Sequence, residues 1–195
     1  MEVKTLNQED FSVKCAELIS KLDFKPDLIV GILNGGGYVM DKIKNQNQFK
    51  KVSFELVTLQ RKQKFKSTPM FKNILKLLPY SVLNKLRIYE SEKAKKTIKK
   101  IDVHQISNFK IDVSFLSAIK KPDATILIVD DAIDTGKTMY IVKTNLRTQF
   151  PKAQIKTAVI SWTIETSIIK PDYFVFKNSL VRFPWSKDYK GKDKF

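Results

Sequence analysis

Apolar positions Phe11, Cys15, Leu18, Ile19 and Leu22 recur at helical spacing along QEDFSVKCAELISKL (8–22), predicting an amphipathic helix near the start of the chain. After Pro26 the pattern changes to an all-apolar run, DLIVGIL (27–33), as expected of a strand buried on both faces; NGGG and the amphipathic YVMDKI follow at once. The order is strand, glycine loop, helix. VSFELVTL (52–59) alternates instead, with Val52, Phe54, Leu56 and Thr58 on one side. TILIVD (125–130) predicts a third strand, KTMYIVKTNLRTQF (137–150) a helix, IKTAVISW (155–162) a fourth strand and YFVF (173–176) a fifth. Strands alternating with helices at this spacing predict an α/β fold built on a doubly wound, mostly parallel sheet.

Between 61 and 110 strand character disappears. Ile74, Leu75, Leu77 and Leu78, then Val82, Leu83, Leu86 and Tyr89, predict two short amphipathic helices broken at Pro79, a helical insertion over one edge of the sheet. No internal repeat or low-complexity linker interrupts the chain, and the tail SKDYKGKDKF is expected to fray.

Length and composition sharpen this picture. A chain of 195 residues, 43% hydrophobic, suits one α/β domain spanning 1–195 and is short for two. The single cysteine, Cys15, excludes a disulfide framework or a cysteine-rich metal site and points to a reducing, cytoplasmic setting. The N-terminus lacks a signal-peptide pattern, and no apolar run approaches the roughly 20 residues of a membrane span. Net charge is +16, and eleven of those charges fall between Arg61 and Lys100, where thirteen Lys or Arg face only Glu90 and Glu92. Such a regional excess suits a polyanion, an anionic membrane surface or solvated helix faces.

Five of the six glycines, Gly31, Gly35, Gly36, Gly37 and Gly136, lie in or beside two loops that follow predicted strands. Ligands of open α/β sheets bind beyond the carboxyl ends of the strands, so both loops are candidate site elements. The second reads ILIVDDAIDTGKTM (126–139). Asp134, Thr135, Gly136, Lys137 and Thr138 lead into a helix and offer backbone N–H groups to an anion, phosphate being the natural ligand. Asp130 and Asp131 would repel that phosphate unless they face hydroxyl donors or a metal ion. A phosphorylated sugar presents both halves. A Walker A reading of GKT fails because glycine would be needed at position 131, which is Asp131. A phospho-accepting receiver explains acids at a strand end but not the Thr-Gly-Lys-Thr turn.

ILIVDDAIDTGKTM resembles the phosphoribosyl pyrophosphate (PRPP) motif of type I phosphoribosyltransferases. DLIVGILNGGG is similar to that family's pyrophosphate loop, and PDYFVFKNSLVRFPW (171–185) resembles the hood of its purine-type members, extending to about 187. The resemblance implies that Asp130 and Asp131 bind the ribose hydroxyls while Thr135, Gly136, Lys137 and Thr138 cradle the 5-phosphate. Asn34, Gly35 and Gly36 would approach the pyrophosphate, Mg2+ would bind mainly through PRPP and only indirectly through Asp130 and Asp131, and Arg61 would hold the departing pyrophosphate. Asp134 matches the position that handles the acceptor's proton.

On the acceptor side the sequence departs from purine-type relatives. Trp162 stands where a lysine is usual and Leu180 where an aromatic stacks on the base; Phe183 and Trp185 offer an apolar wall or core packing. His104, the only histidine, reads as a surface residue. A sugar hydroxyl of a lipid-linked glycan is therefore the leading expected acceptor, with peripheral association of 61–100 at the inner face of a membrane through Leu77, Leu78, Leu83 and Leu86. Two alternatives stand beside it. One is a purine-type nucleobase, the other a regulatory protein that binds PRPP and nucleic acid. The same apolar positions would also serve a homodimer interface.

Overall fold

Alternation along a strand sends successive side chains to opposite faces of a sheet, and both faces here are apolar. The computed structural model describes residues 1–59, 75, 77–111 and 121–193. In chain order its elements are β1 (Glu2–Thr5), α1 (Gln8–Ser20), β2 (Leu28–Ile32), α2 (Gly35–Ile43), a 3-10 turn (Asn47–Phe49), β3 (Ser53–Val57), α3 (Tyr80–Ile98), α4 (Val103–Ser107), β4 (Thr125–Ile133), α5 (Lys137–Gln149), β5 (Gln154–Trp162), β6 (Tyr173–Lys177) and β7 (Ser179–Arg182). Five strands form a parallel sheet in the order β3-β2-β4-β5-β6. Ile29, Leu127 and Val129 pack under α1 and α2 with Phe11, Leu18 and Val39. Leu28, Val30, Ile126 and Ile128 pack on the other face with Val142 and Leu146 of α5. The doubly wound α/β reading is observed.

Strand order reverses between β2 and β4, the switch point at which a crevice opens beyond the strand ends. α2 and α5 both begin at that end of the sheet. α1 starts at a reciprocal cap, the Asn7 side chain accepting from Asp10 N–H (2.7 Å) and Asp10 accepting from Asn7 N–H (3.4 Å).

The structure adds one pairing and corrects one expectation. β1 and β7 form a second, two-stranded parallel sheet, paired from Glu2 with Ser179 to Thr5 with Arg182, which the short polar run at the start of the chain gave no pattern to predict. As far as residue 193 the tail docks rather than frays: Tyr189 and Asp188 are buried, and Asp193 accepts from Gln8 N–H at 2.7 Å and from the Tyr189 hydroxyl at 2.6 Å. As expected, Pro79 separates two helical stretches: residues 75 and 77 before it are helical, and Pro79 is the N-cap of α3, which at 19 residues is longer than the short helix anticipated. The segment before Pro79 lies largely outside the described residues.

α3 is held by charge as well as by apolar contact. Arg182, 1% exposed, donates to Asp188 (2.9 Å), Thr5 (2.8 Å) and Asn84 of α3 (2.8 Å), and its guanidinium lies over the Tyr80 ring. Arg87 of α3 donates to both oxygens of the same Asp188 (2.6 and 2.8 Å) and to the Val181 carbonyl (3.1 Å). Leu83, expected on a lipid-facing stripe, is buried against the body, whereas Leu77 and Leu86 are exposed.

Candidate functional site

β4 carries the site, because its alternation continues past the core into acids. Asp130 shares its parity with Ile126 and Ile128 and is buried; its Oδ1 accepts from the Asp131 N–H at 2.9 Å. Asp131 has the parity of Leu127 and Val129, so it faces the α2 side. There its Oδ2 accepts from the Trp185 indole N–H at 3.2 Å. Gly35 lies directly against this carboxylate, and a Cβ at that position would overlap it. Gly36 likewise rests on the β4 backbone at Val129 and Asp130. The glycine loop is thus needed for close approach to the acidic strand end.

The peptide joining Leu33 to Asn34 is cis, and α2 begins at once, with Asn34 as an N-cap whose side chain makes no capping bond. Gly136 has φ +83°, the left-handed conformation in which a side chain is strained, and packs against Ile168 and Ile169. That turn aims the first N–H groups of the 13-residue α5 outward. Two positive helix ends therefore flank the carboxylates, one from α2 and one from α5.

Burial raises the Asp131 carboxyl above the usual carboxylate range; hydrogen bonds from Trp185, Asp130 and the Ala132 backbone oppose this, and the nearby Asp134 charge adds to it. Trp185 is itself fixed: its indole stacks on Tyr38 (4.3 Å between ring centroids) and on Phe183 (4.8 Å), with Phe11 edge-on at 4.9 Å. Asp134 is exposed, and Thr135 Oγ1 faces Lys137 N–H at 3.5 Å.

The structure brings Asp130, Asp131, Asp134, Thr135, Gly136, Lys137 and Thr138 into one strand-loop-helix unit beside Asn34, Gly35 and Gly36. Arg61 lies outside the described residues. Trp162 is buried at the end of β5, where its Nε1 donates to Ser167 (2.9 Å) and the ammonium groups of Lys177 and Lys170 stand 5.5 and 5.9 Å from its ring. Leu180 is buried on β7, and Phe183 is a core residue between Phe11 and Trp185. Sequence reasoning missed the Trp185 bond to Asp131 and the Tyr38 stack; the signal was an indole N–H that needs a partner wherever its ring is covered.

A cavity of about 370 Å³ opens beside the loop, walled by Thr135 and Lys137 on one side and by Thr97, Lys100, Gln105 and Ile106 on the other. Among the described residues, no three His, Cys, Asp or Glu side chains gather into a metal cage. A strand-end carboxylate pair of this kind fits Mg2+ that keeps substrate oxygens and water as its main ligands.

The family model for the phosphoribosyl transferase domain matches residues 3–190. Among solved structures, a purine phosphoribosyltransferase from Pyrococcus horikoshii Ot3 is similar with a TM-score of 0.60 and 19% identity, over 100% of both chains. A xanthine-guanine-hypoxanthine phosphoribosyltransferase of Helicobacter pylori follows at 0.59 and 15%, covering 94% of this chain and 92% of that one. A hypothetical protein from Neisseria gonorrhoeae with bound ppGpp gives 0.55 and 14%, over 94% and 89%. At these identities the likeness is one of fold. No curated protein sequence matches the chain at a significant level.

Proposed function

Because the chain belongs to the phosphoribosyl transferase family, we propose that it transfers the 5-phosphoribosyl group of PRPP to a purine-type nucleobase and releases pyrophosphate. One observation carries the donor half: the Asp130–Asp131 pair sits between the α2 and α5 helix starts, with Gly35 against Asp131. Carboxylates there accept hydrogen bonds from the ribose diol. The Thr135–Thr138 turn takes the 5-phosphate on its backbone N–H groups, while Asn34, Gly35 and Gly36 approach the pyrophosphate. Bound Mg2+, held indirectly through Asp130 and Asp131, would supply charge neutralisation to the leaving pyrophosphate.

As the bond from C1 to the pyrophosphate oxygen breaks, its electron pair leaves with pyrophosphate and C1 gains oxocarbenium character. The α2 amides meet negative charge where it develops, which lowers the barrier more than binding the substrate alone would. Asp134, exposed at the mouth of the loop, accepts the proton lost by the attacking ring nitrogen. Inversion at C1 gives a β-linked 5-phosphoribosyl product.

For the acceptor, the purine alternative is better supported than the sugar hydroxyl, since two of the three structural neighbours described above are named as purine enzymes. Lys170 and Lys177 stand beside the Trp162 ring near the place where the usual lysine is missing, Lys177 being paired with Glu165 at 2.7 Å and Lys170 the better candidate cation. They offer a base's exocyclic oxygen a cation. Of the leucines expected to face a membrane, Leu83 is turned inward while Leu77 and Leu86 are exposed. Among the described residues, no helix is long and apolar enough to cross a membrane.

The test is pyrophosphate release from PRPP and Mg2+ in the presence of hypoxanthine, guanine, xanthine, adenine or sugar acceptors. Asp134→Asn is expected to lower turnover by about 100-fold or more with PRPP affinity retained. Unchanged turnover removes Asp134 from the proton transfer, and release only with sugars returns the acceptor to the glycan class.

A further inference from the structure

The cavity beside the phosphate loop has a wall that the family motif does not supply. Its far side comes from the end of α3 and the start of α4: Thr97, Lys100, Gln105 and Ile106 face Thr135 and Lys137 across it. This wall is fastened at several points. Ile106 is buried at 4% exposure, and the side chain of Asn145 on α5, itself buried, donates to the Phe109 carbonyl (2.7 Å) and accepts from Ile111 N–H (3.2 Å). Ser107 and Tyr140 hydroxyls meet at 3.5 Å, and the Lys137 ammonium lies 5.7 Å from the Phe109 ring centroid. The Asp102 carboxylate, which would oppose an anion, is turned to the N–H groups of His104 (2.9 Å) and Gln105 (3.2 Å). Asp102 lines the cavity too, so the cavity's charged side chains are Lys100 and Lys137 against one carboxylate whose Oδ1 is already taken by those two N–H groups.

Resting on the phosphoribosyl-transfer reading above, we propose that Lys100 and Gln105 form the second wall of the phosphoryl subsite. They contact the donor's 5-phosphate from the side opposite the Thr135–Thr138 turn. The turn supplies backbone N–H groups from one direction; Lys100 supplies a full charge from the other. The cation is brought by the basic helix, which gives part of the charge between 61 and 100 a defined small ligand.

The experiment is calorimetric titration of the full chain with three probes: PRPP with Mg2+, ribose 5-phosphate, and pyrophosphate with Mg2+. Lys100→Ala is expected to weaken PRPP and ribose 5-phosphate by the same factor, about tenfold, and to leave pyrophosphate unchanged. Gln105→Ala moves the same two probes by less, and Lys100→Arg restores most of the loss. Lys99→Ala, the same charge change one residue outside the cavity, controls for bulk electrostatics. Equal effects of Lys100→Ala and Lys99→Ala overturn the proposal while leaving phosphoribosyl transfer standing, as does equal weakening of pyrophosphate. Absence of PRPP uptake by the native chain overturns the reading on which the proposal rests, and the proposal with it.

Discussion

Asp131 is the residue whose charge state the donor site depends on. Its carboxyl titrates above the ordinary range because burial disfavours the anion, and the Trp185 N–H is the strongest of the hydrogen bonds opposing that shift. The ionised form accepts hydrogen bonds from a diol better than the neutral acid, so PRPP affinity is expected to rise with pH through the raised Asp131 value and level off above it. Trp185→Phe keeps a ring between Tyr38 and Phe183 but removes the N–H donor. The anion then loses support, the carboxyl value rises further, and the rise in affinity moves to higher pH. At a pH within the transition the variant should bind PRPP about tenfold more weakly, as expected for a lost hydrogen bond to a charged group, with near-native affinity recovered in more alkaline solution. Calorimetry across a pH series checks this; a profile that falls without shifting would mean that Trp185 acts only through packing.

At the scale of elements, α3 is a strut. Its 19 residues span roughly 28 Å at the α-helical rise, of which about 15 Å separates Arg87, in the cluster with Asp188 and Arg182, from Thr97 at the phosphoryl cavity. Burial alone would raise the Asp188 carboxyl, but hydrogen bonds and charge from Arg87 and then Arg182 bring it down to about 2. A lowered value means that the native state favours the anion. The stabilisation is therefore present above the ordinary value of 3.8 and is lost as pH falls from there toward about 2. The pH-linked part is about 2 kcal/mol by that shift. Asp188→Asn, which leaves two guanidinium groups short of their anion, should cost about 3 kcal/mol at neutral pH and should flatten the acid limb of stability measured by urea unfolding. Neither cluster nor strut was legible in the sequence, because Asp188 lies in a lysine-rich tail and meets its partners across 101 and 6 residues of chain. The central strands were legible because both their faces are buried, so no choice of face could blur the pattern; β4 alone ran three residues longer than TILIVD suggested, carrying both acids. Loop chemistry was readable for the same local reason, since Gly35, Gly136 and the two acids act through their immediate neighbours. The acceptor side was not, because Trp162 and Phe183 are committed to packing that only the folded chain reveals.

Across the whole molecule, α1 joins the main sheet to the hood and thereby to the site. Phe11 of α1 touches Phe183 and Trp185, and Trp185 holds Asp131. Gln8 at the start of the same helix binds Asp193 of the tail. Cys15, one turn further along the apolar face, reports on this junction: it is 1% exposed, and burial pushes its thiol up to about 12, the Lys42 charge only partly offsetting that. Native Cys15 is thus protonated and covered near neutral pH, so a disulfide reagent reaches it only through opening events. If opening α1 also dismantles the hood and the Asp131 contact, the open form cannot bind donor. Saturating PRPP should then slow labelling by the factor that ligand linkage gives, about 100-fold at a free concentration 100 times the dissociation constant. Labelling that ignores PRPP would show α1 peeling away by itself with the donor site left intact, and the proposed mechanical link between hood and carboxylates would fail.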